Sequence, residues 1–218
     1  MLGKPRLRPD LLLLLSLLLV MLLNPVLDHG DWRRLALAAL TLMPVILSTL
    51  RLSQIRMWVW PSVLLMLVYL VFLVASFILH NRLLNGLHWG LLAAFFAFTA
   101  VSLFSYLANS RSIERAHLYA AVSIYLLIGY TWAALYCAWD VFCPGSIQLG
   151  SQTTNHQSVL LYFSFVTLST IGYGDVVPLS GEARMLAVLE GVTGVLYIAI
   201  TVGVLVSTYR RGEDQHDT

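Results

Sequence analysis

Six long apolar stretches, separated by short charged or polar breaks, organise this chain at positions 11–27, 35–50, 57–79, 83–107, 116–139 and 185–209. A helix rises about 1.5 Å per residue and the hydrocarbon core of a bilayer is about 30 Å thick, so roughly 17–25 apolar residues make one crossing. All six stretches are predicted to be membrane-spanning helices. The first two sit at the short end of that range and could instead form a shallow hairpin, which returns the chain to the same side. A seventh apolar stretch, 158–169, follows Cys143-Pro144-Gly145 and a polar run at 150–157. As a helix it would reach only about 18 Å, too little to cross. The pattern predicts a half-helix that dips into the membrane and returns as extended chain. Such backbone is tolerated at that depth only where it is buried in protein or lines a pore.

Composition fits this reading. Of 218 residues 59% are hydrophobic and 11% charged, and the mean hydropathy is +0.80, which excludes an ordinary soluble domain. The net charge of +2, with basic residues in short clusters, leaves no nucleic-acid-binding patch. The clusters set topology instead. With the amino terminus inside, nine basic residues fall in inner segments (Lys4, Arg6, Arg8, Arg51, Arg56, Arg111, Arg115, Arg210, Arg211) and four in outer ones (Arg33, Arg34, Arg82, Arg184), so both termini are expected to be cytoplasmic. The charged start ahead of a Leu-rich run looks like a secretory signal, but Asn24-Pro25-Val26-Leu27 offers no small-x-small cleavage site, and a retained anchor is expected. Cys137 and Cys143 are open to a single bridge or to two free thiols. The histidines do not fall at metal-ligand spacings, and interfacial positions are expected for His80, His88 and His117.

The chemistry concentrates after the short helix, in Thr170-Ile171-Gly172-Tyr173-Gly174-Asp175. As a tetrapeptide, Gly-Tyr-Gly-Asp would be an ordinary turn. A Thr-bearing short helix before it, Pro178 after it and a full apolar span on each side give it another meaning. The stretch Tyr162-Phe163-Ser164-Phe165-Val166-Thr167-Leu168-Ser169-Thr170-Ile171-Gly172-Tyr173-Gly174-Asp175-Val176-Val177-Pro178 resembles the pore helix and signature sequence of potassium channels, and is especially similar to bacterial single-pore and two-pore-domain types. The resemblance implies a homotetramer, with four chains meeting on one axis. The carbonyl oxygens of Thr170, Ile171, Gly172 and Tyr173, with the Thr170 hydroxyl, would replace the water shell of K⁺. For successive carbonyls to face the axis, alternate residues take left-handed backbone angles, which suits Gly172 and Gly174. Ile171 and Tyr173 would then point away from the axis, and Asp175 would cap the outer mouth and concentrate cations with Asp140 and Glu182.

The same resemblance makes 185–209 an inner, cavity-lining helix. Gly194 falls at the hinge position, where bending and close packing both remain open; packing is expected for Gly191 and Gly203. Ile198 and Val202 are expected to face the cavity and Val206 its cytoplasmic narrowing, where an apolar ring could gate by dewetting. Glu190 is the only charged residue well inside an apolar span. It is expected, with Thr167, to brace the filter through a pore-helix Ser or Thr, a pH-sensing role being the alternative, and Glu190→Gln is expected to lower open probability or selectivity. No Lys or Arg lies within 83–107, so steep gating by a moving charged helix is not expected.

The expected fold is all-α membrane: six transmembrane helices, with a re-entrant pore helix and filter between the fifth and sixth. Residues 1–110 would form a four-helix amino-terminal membrane domain, 111–211 the pore domain and 212–218 a short cytoplasmic tail. The expected function is passive K⁺ permeation by a multi-pass cell-membrane protein, in the inner membrane if the source is Gram-negative. Its partners would be membrane lipid, K⁺ and identical subunits, with no cofactor, no nucleic acid and no enzymatic activity. A carrier would show repeated halves with paired broken helices, and none appears. A non-conducting subunit that keeps the motif remains the rival reading.

Overall fold

The computed structural model describes residues 9–24, 33–52, 56–110, 115–149 and 156–214; the side chains of 33–35, 56–57, 115 and 205–214 are outside the description. Lys4, Arg6, Arg8 and Arg111 lie outside the described residues, as do the side chains of Arg33, Arg34, Arg56, Arg115, Val206, Arg210 and Arg211. In chain order the elements are α1 (Pro9–Leu23), α2 (Arg33–Leu52), α3 (Arg56–Leu79), α4 (Arg82–Ala108), α5 (Arg115–Phe142), β1 (Ile147–Gln148), α6 (His156–Leu168), β2 (Val177–Pro178) and α7 (Gly181–Asp214). Every apolar stretch of the sequence is a helix, displaced at its ends by a few residues.

Among the described residues, four helical segments are long and apolar enough to cross a bilayer: Trp58–Leu79, Arg82–Ala108, Ala116–Phe142 and Gly181–Val204. Pro9–Leu23 and Ala36–Leu52 are apolar but shorter. Pro44 and Pro61 lie within α2 and α3, each of which is one helix.

Local sequence explains several helix ends. The Asn81 side chain accepts a hydrogen bond from the Leu83 amide at 2.8 Å, capping α4. Ser180 Oγ accepts from the Ala183 amide at 3.1 Å and Glu182 stands in the first turn of α7, where a carboxylate complements the helix dipole. At the end of α5 the Arg82 side chain donates to the carbonyls of Val141 (2.6 Å) and Phe142 (3.2 Å), which lack helical partners of their own.

The packing has two centres. The larger joins α1 to α6 and contains Leu13, Leu17, Tyr69, Phe95, Leu103 and Leu127. Helix α1 is part of this core: Asp10, Leu13, Ser16, Leu17 and Val20 form its buried face, and the Tyr130 hydroxyl of α5 donates to the Leu17 carbonyl at 2.7 Å. The smaller centre gathers Tyr136, Ile147, Leu160, Phe163, Val176 and Ala183 beneath the β1–β2 pair. There Ile147 pairs with Pro178 and Gln148 with Val177, antiparallel. The Leu179 amide donates to the Ser146 carbonyl at 2.8 Å, so the chain leaving 170–175 is tied to the chain leaving α5.

Helices α3 and α7 keep large apolar side chains outside the core: Val71 and Ile78 are 65% and 71% exposed, and Met185, Val188, Leu189, Val192 and Val195 are each half exposed or more. So much continuous apolar surface needs lipid or another protein surface against it.

His88 and His117 are buried within the chain, His117 being stacked on Tyr106 at 5.2 Å. Arg51, expected on the inner side, stands in the last turn of α2, buried and paired with the buried Asp10. Cys137 and Cys143 are both free thiols, one buried and one exposed.

Candidate functional site

Helix α6 has 13 residues and delivers the chain directly into the 170–175 segment. The handover is set by hydrogen bonds to the last carbonyls of α6. The Thr170 amide donates to the Thr167 carbonyl at 3.0 Å, while the Ile171 and Gly172 amides both donate to the Val166 carbonyl, at 3.0 and 3.3 Å. Thr167 thus contributes its backbone here. The backbone then alternates, with φ of 59° at Thr170, 59° at Gly172 and 80° at Gly174. Glycine takes such angles freely. Thr170 is β-branched, and holding it there costs about 1–3 kcal/mol, a strain that persists only where the surroundings over-determine the conformation.

On a single chain all six residues of 170–175 are exposed, with Ile171 at 55% and Tyr173 at 70%. Asp175 is held in place: the Tyr162 hydroxyl of α6 donates to its Oδ2 at 2.8 Å and the Val176 amide to its Oδ1 at 3.1 Å. That hydrogen bond to the carboxylate holds the Tyr162 hydroxyl above its usual pKa range. Asp140 lies apart from this pair, at 2.7 Å from Nδ1 of His156, the first residue of α6.

Glu190 is fully buried at the meeting of three helices. The Tyr136 hydroxyl of α5 donates to its Oε2 at 2.6 Å, and Ser164 Oγ of α6 lies 2.5 Å from its Oε1. Ser164 Oγ is also 2.8 Å from the Gly129 carbonyl of α5. One carboxyl therefore ties α7 to the middle of α6 and to α5 at once. Ser164 is the pore-helix hydroxyl expected to meet Glu190, whereas from sequence Tyr136 reads as a packing or anchoring residue.

One turn on, Gly194 presses on the end of α6. A Cβ at this position would stand 2.2 Å from the Leu168 carbonyl oxygen. A Cβ on Gly191 would lie at an ordinary 4.0 Å from the Thr167 carbonyl oxygen, and one on Gly203 would meet nothing within 4 Å. Close packing therefore operates at Gly194 and not, within one chain, at Gly203. Ile198 and Val202 are 52% and 54% exposed on α7. Below them the Tyr197 hydroxyl donates to the Ala121 carbonyl of α5 at 2.5 Å.

A cavity of 960 Å³ opens between α2, α3, α4, α5 and α6, with His88, Cys137, Asp140 and His156 on its walls; no residue of 170–175 lines it. Among the described residues no group of three or more His, Cys, Asp or Glu side chains could hold a metal ion. What remains at 170–175 is backbone oxygen chemistry. A carbonyl is a weak hard donor, suited to an alkali cation that must be released again.

Residues 118–211 match the family model described as Ion channel. Over 49 residues, 22% of this chain, the sequence is 45% identical to a provisionally named potassium channel protein of Rhodopseudomonas palustris, covering 12% of that protein. Over 89 residues, 40% of this chain, it is 32% identical to an A-type voltage-gated potassium channel in Rattus norvegicus and in Homo sapiens, covering 13% of each. The chain thus spans 12 to 13% of the length of the curated relatives it matches. No solved structure matches it.

Proposed function

We propose that this chain is a subunit of a potassium-selective channel, in which four copies bring their 170–175 segments together around one axis and K⁺ passes down its electrochemical gradient between their carbonyls. The observation that carries the reading is the alternation of left-handed backbone at Thr170, Gly172 and Gly174, because it lets consecutive carbonyls turn the same way. One chain supplies one side of such an ion cage. The exposure of 170–175 and of the α7 face supports partners of the same kind.

In this reading α6 is a re-entrant helix, α5 and α7 are the outer and inner helices of the pore, and α1 and α2 complete six spans. Both termini then face the cytoplasm. Glu190 and Gly194 support the filter from behind, Glu190 by hydrogen bonds and Gly194 by letting α7 touch the end of α6. Gly194 can also serve as the bending point, with Ile198 and Val202 facing the ion path. The protein acts by permitting diffusion, so no cofactor or catalytic residue is required.

The test is reconstitution of the purified protein in liposomes under opposed K⁺ and Na⁺ gradients, with Gly172→Asp as control. The expected result is a K⁺-selective current that Gly172→Asp abolishes. No K⁺-selective current, or one indifferent to that substitution, sinks the assignment.

A further inference from the structure

Arg51 makes more contacts than a topology charge needs. Its guanidinium is 6% exposed and paired with the Asp10 carboxylate, itself 7% exposed, which joins α2 to α1. The same guanidinium lies over the Tyr106 ring of α4, 4.7 Å from its centroid. Tyr106 is in turn stacked on His117 in the first turn of α5, with ring centroids 5.2 Å apart and planes 11° off parallel. A buried cation thus connects α1, α2, α4 and α5 at the end of the bundle opposite 170–175. One turn further along α5, Ala121 accepts the Tyr197 hydrogen bond from α7, and the rings of Tyr125 and Tyr197 approach to 6.0 Å.

Burying an ion pair is a poor way to gain stability, since apolar residues of similar volume do as well or better; its better-attested use is to fix one arrangement among several. This pair stands where the amino-terminal helices meet the pore module. We propose that Asp10 and Arg51, acting through Tyr106 and His117, are positioning residues that hold the first turns of α5. They thereby hold the Tyr197 region of α7, so that the two amino-terminal helices set the opening equilibrium of the ion path. The proposal rests on the channel reading for its consequence and on the contacts alone for its geometry.

The experiment measures K⁺ flux from proteoliposomes containing the full chain. The variants are Arg51→Gln, Tyr106→Leu, Tyr106→Phe and Tyr197→Phe, together with the Arg51→Gln/Tyr197→Phe pair. Arg51→Gln and Tyr106→Leu should change flux by at least about threefold in the same direction, and the pair should depart from the product of its singles by a similar factor. Tyr106→Phe, which keeps the ring, should match the unsubstituted protein. Unchanged flux from folded Arg51→Gln and Tyr106→Leu, or a pair that simply multiplies, overturns the proposal.

Hydrogen–deuterium exchange gives a readout that does not need conduction. In Arg51→Gln, exchange should rise together at 117–125 of α5 and at 197–204 of α7, whereas a rise confined to α1 and α2 overturns the proposal. Should Arg51→Gln fail to fold, Tyr106→Leu, which leaves the ion pair in place, carries both measurements. If the unsubstituted protein passes no K⁺, the channel reading falls and the exchange result decides this one separately.

Discussion

At the scale of single residues, the arrangement around Glu190 reverses a sequence-based expectation. Ser164 has one hydroxyl proton and two close oxygens, the Gly129 carbonyl and Glu190 Oε1. A glutamine at 190 can accept from Tyr136 through its oxygen and donate to Ser164 through its amide, leaving the Ser164 proton for the carbonyl. Glu190→Gln should therefore keep near-native K⁺ flux and Tm. Glu190→Ala leaves the buried Tyr136 hydroxyl without its acceptor, at about 1–3 kcal/mol, while Ser164 keeps the Gly129 carbonyl, and should lower Tm and selectivity together. A measured Tm and K⁺/Na⁺ ratio for both variants separates bracing from a role for the charge: if Gln fails as badly as Ala, the charge itself is in use. Gly194→Ala puts a methyl 2.2 Å from the Leu168 carbonyl oxygen, and the backbone leading into 170–175 must move. Overpacking of this kind costs about 1–3 kcal/mol, so a lower Tm is expected with weakened K⁺ selectivity, whereas retained selectivity and Tm would show that α7 yields easily there. The sequence marked Glu190 by hydropathy and led to a pore-helix Ser or Thr as its partner, which is Ser164, 26 residues away; the bond from Tyr136, 54 residues away, was not legible, and at Gly194 packing was one of two open readings.

At the scale of elements, α6 is the unit that matters, because it holds 170–175 at both ends. Its last carbonyls receive the Thr170, Ile171 and Gly172 amides, and Tyr162 reaches from its flank to Asp175 at the far end of 170–175. The segment 170–175 is thus bounded at each end by hydrogen bonds from the same helix. Tyr162→Phe removes the second of these without changing bulk. It should leave K⁺ selectivity intact and hasten the decline of current during sustained conduction by about fivefold, the kinetic weight of roughly 1 kcal/mol. Macroscopic currents from reconstituted protein check this, and an unchanged time course would show that the Val176 amide is enough to hold Asp175. The short helix, its length and its apolar character were readable from 158–169. The Tyr162 bond was not, since a tyrosine at a helix surface reads equally well as packing.

At the scale of the whole molecule, a single chain leaves a continuous apolar surface on α7 and an exposed 170–175 segment, so the functional particle is expected to be larger than one chain. Size-exclusion with light scattering, or native mass spectrometry, should give a particle of four chains, and its disruption should abolish K⁺ flux; a monodisperse monomer that still conducts selectively would refute the arrangement. Hydropathy is a local property, and it alone fixed the seven helices, their order and the brevity of α6; the spelling of 170–175 needed only adjacent residues. Tertiary structure decided what no local pattern encodes: that α1 is buried against α5, that Arg51 is locked to Asp10 41 residues away, and that Gly194 is small because another backbone lies against it. Those facts depend on which helix faces meet. Lipid accepts any apolar face equally, so apolar sequence tells a helix to enter the membrane but leaves its neighbours to packing and hydrogen bonds.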